Sequence, residues 1–368
     1  MTRLSFPNYQ SFAFLLLLIF SNSSIGQTRA PLRDMKAVYQ NIESPAKNKV
    51  KIAPSTKIKT LELGNISSEV STRARSHVNA PENVALMLIE NGKVIFEEYG
   101  KGSSSASRFA SLSMSKGLVS LAIGHAYCSG HIKSLDDSAE IYASELKETP
   151  LGKASVRDLL RMNSGVITDS RFHGQSYENS GAELLLHKNN ISKLLQNYSK
   201  QVGVKRFNYS NMDTHALNFV IRGATKSTLA DWLKSTVIDQ AGFESDSYWA
   251  LDANNVEISP SFFFASLKDW GRLALYIDQL TRDDGKECLS KYVIDATSSQ
   301  IDANTPEFQN YGYHFFVNSK GNPDPTYWMV GFGGQRIAFD KNKNKIMINF
   351  SWSHETKSTF EFFNEWTR

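Results

Sequence analysis

Strand patterns near both ends of the chain, with helical patterns between them, constrain the fold most. VALMLIE (84–90) and KVIFEEYG (93–100) flank Asn91-Gly92, a pair that favours the tight turn of a β-hairpin. Later runs of the same kind predict strands over 311–318, 335–340 and 345–352. The sequence therefore predicts an α/β architecture with one sheet built from both ends of the chain.

The stretch between these strands reads as helices and loops. SMSKGLVSLAIGHAYCSGH has apolar residues at helical spacing and closes at Gly130. Further helical patterns predict a helical insertion at about 131–280, and STFEFFNEWTR predicts a closing helix. Regular structure is expected to begin at Val84. Residues 27–80 are polar and weakly periodic, which predicts an extension that wraps around or trails from a domain at 81–368.

The amino terminus reads as an export signal over residues 1–26. Arg3 precedes the apolar run Phe12–Phe20, and small residues lead to an expected cleavage after Gly26. Nine apolar residues span about 14 Å as a helix, too short for a hydrocarbon core of about 30 Å. We therefore expect an exported protein, periplasmic or secreted, without a stable membrane span. An uncleaved anchor or a frayed helix is the alternative.

Charge and cysteine content exclude several classes of function. The 41 Lys+Arg and 37 Asp+Glu residues are dispersed, with no basic stripe, so no nucleic-acid partner is expected. Two cysteines build neither a disulfide framework nor a thiolate zinc site. An oxidising compartment would permit a Cys128–Cys288 bond, but two free, buried thiols are the favoured interpretation. No histidine shows metal-ligand spacing.

The sharpest chemical signal is the S-x-x-K pattern of Ser113 and Lys116. Residues i and i+3 share a face of a helix, so hydroxyl and amine can meet. Burial lowers the pKa of an amine, and a neutral lysine can then take the serine proton. The alternative is a surface serine beside a solvated lysine. The apolar flanks FASLS and GLVSLAIG favour the catalytic interpretation.

Two other motifs add candidate residues. Tyr209-Ser210-Asn211 precedes a helix and could bring a phenol and an amide to one cleft, or could simply pack and cap that helix. Gly331-Phe332-Gly333-Gly334-Gln335 precedes a strand, where glycines let backbone approach a ligand. A backbone N–H there, with that of Ser113, could form an oxyanion site, and a flexible turn is the alternative.

In this order and spacing, the three motifs resemble those of serine β-lactamase-related hydrolases. That family includes class C β-lactamases, low-molecular-weight penicillin-binding proteins, carboxylesterases and 6-aminohexanoate-dimer hydrolases. The resemblance covers about 84–352 and includes linking blocks such as LDDSAEIYASELKETP. It implies a β-lactamase/transpeptidase-like fold, in which an antiparallel sheet flanked by helices adjoins an all-helical domain.

The resemblance also implies roles for the motif residues. Ser113 would be the acylated nucleophile, Lys116 its proton partner and Tyr209 a general acid or base. Asn211 would face the substrate, and the Phe332 N–H, between Gly331 and Gly333, would be the second oxyanion donor. In the loop ITDSRFHGQSYEN, Tyr177 and His173 could line the cleft, although a solvated loop is the alternative. The family chemistry needs no metal or organic cofactor.

One departure from the family pattern bears on the substrate. β-Lactamases and penicillin-binding proteins carry Lys-Thr-Gly or His-Thr-Gly where this chain has Met329-Val330-Gly331. The side chain that would bind a substrate carboxylate is missing, and Arg336 either substitutes for it or points away along its strand. In addition, GFGGQ looks most like the form in the 6-aminohexanoate-dimer hydrolase and esterase branch of the family. We therefore expect hydrolysis of a small amide or ester. The alternatives are a β-lactamase or D-Ala carboxypeptidase, and a non-catalytic sensor module.

Overall fold

The structure, a computed structural model, describes residues 48–167, 190–198, 201–352 and 357–368. In chain order, the strands within those ranges are β1 (Lys49–Ile52), β2 (Asn83–Glu90), β3 (Lys93–Tyr99), β4 (Phe109–Ala110), β5 (Val166–Ile167), β6 (Gln201–Val202), β7 (Ser247–Ala250), β8 (Phe263–Ala265), β9 (Ile301–Asp302), β10 (Phe308–Tyr311), β11 (Phe316–Ser319), β12 (Thr326–Gly331), β13 (Gln335–Asp340) and β14 (Lys345–Ser351).

The helices in the same ranges are α1 (Ser68–Val78), α2 (Ser115–Cys128), α3 (Pro150–Lys153), α4 (Val156–Leu160), α5 (Ile191–Tyr198), α6 (Asn211–Thr225), α7 (Leu229–Leu233), α8 (Asp239–Ala241), α9 (Leu267–Arg282), α10 (Cys288–Ala296) and α11 (Lys357–Trp366). A π-helical segment, Lys234–Ile238, joins α7 to α8. Short 3₁₀ turns occur at Leu112–Met114, Ala139–Ile141, Ser144–Leu146 and Phe332–Gly334.

The central element is an eight-stranded antiparallel sheet with the order β3-β2-β14-β13-β12-β11-β10-β9. β2 and β3 form the predicted hairpin, and Asn91 and Gly92 both take positive φ at its turn. β14, from the end of the chain, pairs with β2, from its beginning. The predicted sheet built from both ends is confirmed. A second antiparallel sheet, β1-β7-β8-β4, leads into the candidate site.

Helices cover both faces of the large sheet. Along β2, Leu86 and Leu88 belong to a core with α1 and α11, whereas Met87 and Ile89 belong to the main core with α9. Successive strand residues point to opposite faces. A strand covered on both sides is apolar throughout, which explains why VALMLIE shows no alternation.

The expectation that regular structure begins at Val84 is wrong. β1 pairs with β7, and α1 begins after Ser67, whose side chain accepts a hydrogen bond from the Val70 N–H. Within α1, Ala74 and Val78 are the buried residues. Such a narrow apolar stripe gives weak periodicity, which is why the pattern did not indicate a helix.

The single strand expected at 311–318 is also wrong, because the chain turns between β10 and β11. His314, in the middle of that stretch, has a φ of +63° and donates its backbone N–H to the Leu160 carbonyl at 3.0 Å. A Cβ at Gly312 would lie 2.0 Å from the Ala296 carbonyl oxygen. This close passage beneath the end of α10 breaks the strand.

The two cysteines are paired, so the expectation of two free thiols is wrong. Cys128 ends α2 and Cys288 begins α10, and their Cα atoms are 5.6 Å apart in a disulfide. The 160 residues between them gave no indication of proximity, which arises because α2 packs on α10. The bond therefore ties a central helix to a helix that follows the predicted insertion.

Candidate active site

Ser113 lies in a tight turn between a strand and a helix. Ser111 anchors the turn: its backbone N–H donates to the Phe263 carbonyl at 2.7 Å, and its Oγ accepts from the Phe263 N–H at 3.1 Å. Leu112 then takes a φ of +40°, a left-handed conformation that is costly for leucine. Strain of this kind concentrates at functional sites. The turn leaves Ser113 half-buried at the start of α2.

Lys116 lies one helical turn further on and is buried, with 1% of its surface exposed. Its Nζ donates to the Ser113 Oγ at 2.9 Å and to the Pro260 carbonyl at 3.2 Å. Desolvation sets the pKa of Lys116 well below its ordinary value. Burial thus favours the neutral amine, the form that can accept a proton from the serine.

Tyr209 reaches the same point from the segment before α6. Its ring stacks on Phe316 at 5.7 Å, and the Lys116 Nζ lies 4.9 Å from the ring centroid. Burial raises the pKa of Tyr209 to about 12, although a hydrogen bond with the Ser113 hydroxyl and the charge of Arg336 act to lower it. The phenol therefore keeps its proton at neutral pH, close to the serine oxygen.

Asn211 is the first residue of α6, directly after the cap of that helix. Ser210 is the N-cap, and its side chain accepts from the Met212 N–H at 3.2 Å. Within the described part of the chain, the Oδ1 of Asn211 is buried without a hydrogen-bond partner. Capping is thus the role of Ser210, and the Asn211 amide keeps an acceptor for another group.

The glycine-rich turn after β12 packs against the turn that holds Ser113. A Cβ on Gly331 would lie 2.5 Å from the Ser111 carbonyl oxygen, so the close approach requires glycine. Phe332 follows with a side chain that is 42% exposed, and Gly333 has a φ of +73°. The glycine-rich stretch therefore forms a short turn, left-handed at Gly333, next to the turn that holds Ser113.

Met329 occupies the position of the Lys or His in the family's Lys-Thr-Gly or His-Thr-Gly motif. It is buried against α2, where a Cβ on Gly117 would lie 2.7 Å from the Met329 Cε. Arg336, the suggested substitute, is buried on β13 opposite Val330. Its Nη1 donates to the carbonyls of Gly331 and Gln335, so it is engaged with backbone.

The two loop candidates from the sequence, Tyr177 and His173, lie outside the described residues. His125 bonds to the Tyr276 hydroxyl at 3.0 Å, His131 packs edge-on against Trp232, and His215 bonds to the Ser259 Oγ at 3.3 Å.

Across the described ranges, no group of three or more His, Cys, Asp or Glu could hold a metal ion. Among the described helices, none has the length and apolarity to cross a membrane.

Two contributors to the site carry no motif. The Pro260 carbonyl holds Lys116, and a backbone carbonyl leaves no signal in a sequence. The role of Arg336 in holding the glycine-rich turn depends on the direction of its side chain, which its place beside GFGGQ did not reveal.

The Beta-lactamase family model matches residues 78–359 of the chain. A solved structure described as "Putative 6-aminohexanoate-dimer hydrolase from Bacillus anthracis" is similar at 20% identity with a TM-score of 0.78, over 90% of this chain and 93% of that one. No curated protein matches.

Two further solved structures share the fold at lower similarity. "EstCE1, a hydrolase with promiscuous acyltransferase activity" has 13% identity and a TM-score of 0.65, over 80% of this chain and 96% of its own. A class C beta lactamase from Rhodobacter sphaeroides has 12% identity and a TM-score of 0.61, over 82% and 100%. The predicted β-lactamase/transpeptidase-like fold is confirmed.

Proposed function

The chain belongs to the beta-lactamase family, a family of hydrolases, and we propose that it is a serine hydrolase with an acyl-enzyme on Ser113. The observation that carries this proposal is the 2.9 Å contact between the Ser113 Oγ and the Nζ of a lysine whose burial favours the neutral amine. A buried amine that has no carboxylate partner in the described part of the chain lowers stability, and accepting the serine proton is a function that accounts for it.

The reaction follows from the three groups. Lys116 takes the Ser113 proton as Oγ bonds to the substrate carbonyl carbon, and the carbonyl electron pair moves to oxygen. The N–H groups of Ser113 and Phe332 hold that oxyanion. When the scissile bond breaks, Tyr209 gives its proton to the leaving group and recovers one from Lys116. Water then hydrolyses the ester on Ser113, with the same groups moving its protons.

The site favours a small amide or ester without a carboxylate anchor. Met329 places a thioether against α2 where a cation would bind a carboxylate, and Arg336 is engaged with backbone carbonyls. Two similar structures are described as a putative 6-aminohexanoate-dimer hydrolase and as a hydrolase with promiscuous acyltransferase activity, and both descriptions are compatible with cleavage of an acyl bond. An activated ester should therefore react faster than nitrocefin.

We further propose that the protein works outside the cytoplasm. The predicted signal over residues 1–26 and the Cys128–Cys288 disulfide support this, because stable disulfides belong mainly to oxidising compartments. The mature protein recovered from its native cell should have an intact mass that corresponds to loss of about 26 N-terminal residues. A full-length cytosolic protein would contradict export.

A fluorophosphonate probe with intact-mass detection tests the nucleophile. We expect one adduct on the wild type, none on Ser113→Ala, and an unchanged adduct on Ser115→Ala. Ser115 is a matched control because its buried Oγ bonds to the Leu112 and Ser259 carbonyls. An unlabelled wild type would favour the sensor module, and preferred turnover of nitrocefin would favour the β-lactamase alternative.

A further inference from the structure

The glycine-rich turn is held by four buried side chains, one for each consecutive carbonyl. The acceptors are the carbonyls of residues 331–334. Their donors, in the same order, are Arg336 Nη1, Gln335 Nε2 at 3.0 Å, Ser351 Oγ at 2.9 Å and Asn349 Nδ2 at 3.0 Å. All four donors come from β13 and β14. A surface turn would leave these carbonyls to water.

This arrangement fixes the direction of the Phe332 N–H. In a trans peptide group the C=O and the N–H point in opposite directions. The Gly331 carbonyl points toward Arg336, so the Phe332 N–H of the same peptide group points away from Arg336. The same strand end abuts the Ser111 carbonyl, two residues before the nucleophile.

Arg336 differs from the other three donors because it carries a charge. Its guanidinium is buried, over the Phe360 ring at 5.6 Å, and burial lowers its pKa to about 10, which leaves it charged at neutral pH. A hydrogen bond from a charged donor is stronger than one from a neutral donor, and it polarises the bonds linked to its acceptor. Polarisation of the Gly331–Phe332 peptide makes its N–H a better donor.

We propose that Arg336 is a positioning residue of the oxyanion site, which aims and polarises the Phe332 N–H through the Gly331 carbonyl. This inference rests on the proposed acyl-enzyme function. It assigns to Arg336 an effect on the tetrahedral state and little effect on substrate binding.

The test compares Arg336→Met and Arg336→Lys with the wild type, using p-nitrophenyl butyrate as substrate and phenylboronic acid as a tetrahedral mimic. Arg336→Met should lower kcat about tenfold or more, leave KM within twofold and weaken boronate inhibition by a similar factor. Loss of an oxyanion donor itself costs about 10²–10³, so a group acting through the donor should cost less. Arg336→Lys, which keeps a charge, should recover part of kcat. Arg75→Met, an exposed arginine paired with Glu98, is the control.

A kcat within twofold of the wild type in Arg336→Met would overturn the proposal, as would unchanged boronate affinity. If Arg336→Met does not fold, Arg336→Lys decides: with ¹⁵N-phenylalanine in both proteins, boronate should shift the Phe332 amide proton downfield less in the variant than in the wild type, and equal shifts overturn the proposal. Fluorophosphonate labelling distinguishes failure of the proposed function from failure of this inference. An unlabelled wild type defeats the proposed function, whereas normal labelling with a normal Arg336→Met rate defeats this inference alone.

Discussion

Lys116 is the residue at which the stability of the fold and the proposed chemistry oppose each other. Among the described residues its buried amine has no carboxylate partner; desolvation favours the neutral form, and its hydrogen-bond partners there are a serine hydroxyl and a proline carbonyl. Each unit by which its pKa is lowered represents roughly 1.4 kcal/mol lost from folding at a pH below that pKa. The residue should therefore be costly for the fold and required for the reaction.

Replacing Lys116 with Met should separate these effects. Between the lowered folded-state pKa and 10.5, the unfolded chain binds a proton that the folded chain does not, so wild-type stability rises with pH. Lys116→Met lacks this dependence. Its melting temperature should exceed that of the wild type by a few °C at pH 7, with the gap closing toward pH 10, while kcat falls at least 10³-fold. Lys101→Met, at an exposed lysine, is the control. A Lys116→Met variant that is less stable than the wild type and has normal kcat would contradict both the stability cost and the proposed catalytic role of Lys116.

For Asp213, in the first turn of α6, we predict a pH dependence of stability opposite in sign to that of Lys116. Burial raises its pKa to about 7, against hydrogen bonds from Ser164 and Ser210 that lower it. Between about pH 4 and 7 the folded chain binds a proton that the unfolded chain does not, so stability falls as pH rises. Asp213→Asn should remove this slope and melt several °C above the wild type at pH 8, with little gain at pH 4. Melting temperatures measured from pH 4 to 8 test this, with Asp284→Asn, at an exposed aspartate, as the control. Parallel plots of melting temperature against pH for Asp213→Asn and the wild type would refute it.

At the scale of elements, the sequence was informative where local pattern and tertiary environment agree. Gln335–Asp340 has the predicted bounds, because this strand is regular from end to end. The prediction of one strand over 311–318 was wrong because the strand is broken by packing under α10. The aromatic residues of this stretch give no sign of that contact. α1 was missed because its contribution to the core is two residues.

Gly331 tests whether the contact between two elements sets the site. An added Cβ would meet the Ser111 carbonyl at 2.5 Å and the Gln335 Cβ at 2.9 Å, so β12 must move away from the turn that holds Ser113. A misplacement of about 1 Å can cost about 10²-fold in rate, and Gly331→Ala should lower kcat at least tenfold. Gly102→Ala is the matched control. Gly102 has a φ of +86°, and a Cβ added there would meet no heavy atom within 4 Å beyond its chain neighbours.

Both alanine variants should melt below the wild type, because crowding at residue 331 and left-handed strain of about 1 kcal/mol at residue 102 each destabilise the fold. Steady-state kinetics at 25 °C distinguish them. If the two variants have equal kcat, the approach of β12 to Ser111 has no part in positioning the site.

At the scale of the whole molecule, the candidate site draws its parts from distant stretches. The separate motifs were readable, because hydroxyl, amine and phenol each stood in a pattern with chemical meaning. Their meeting at Ser113 depends on α2, the segment before α6 and β12 being packed together, which no local pattern determines. The same limit hid the disulfide, whose cysteines are neighbours through the packing of α2 and α10.

That disulfide should stabilise the fold without taking part in the reaction. It closes a 160-residue separation, and chain entropy in the unfolded state gives about 2–5 kcal/mol for such a bond. Cys128 ends α2 and Lys116 lies in its first turn, so removing the bond should leave the site geometry intact. The double variant Cys128→Ser/Cys288→Ser should melt roughly 3–7 °C below the wild type with kcat unchanged at 25 °C. Dithiothreitol should lower the melting temperature of the wild type alone, and equal melting of both proteins without reductant would show that the bond contributes nothing.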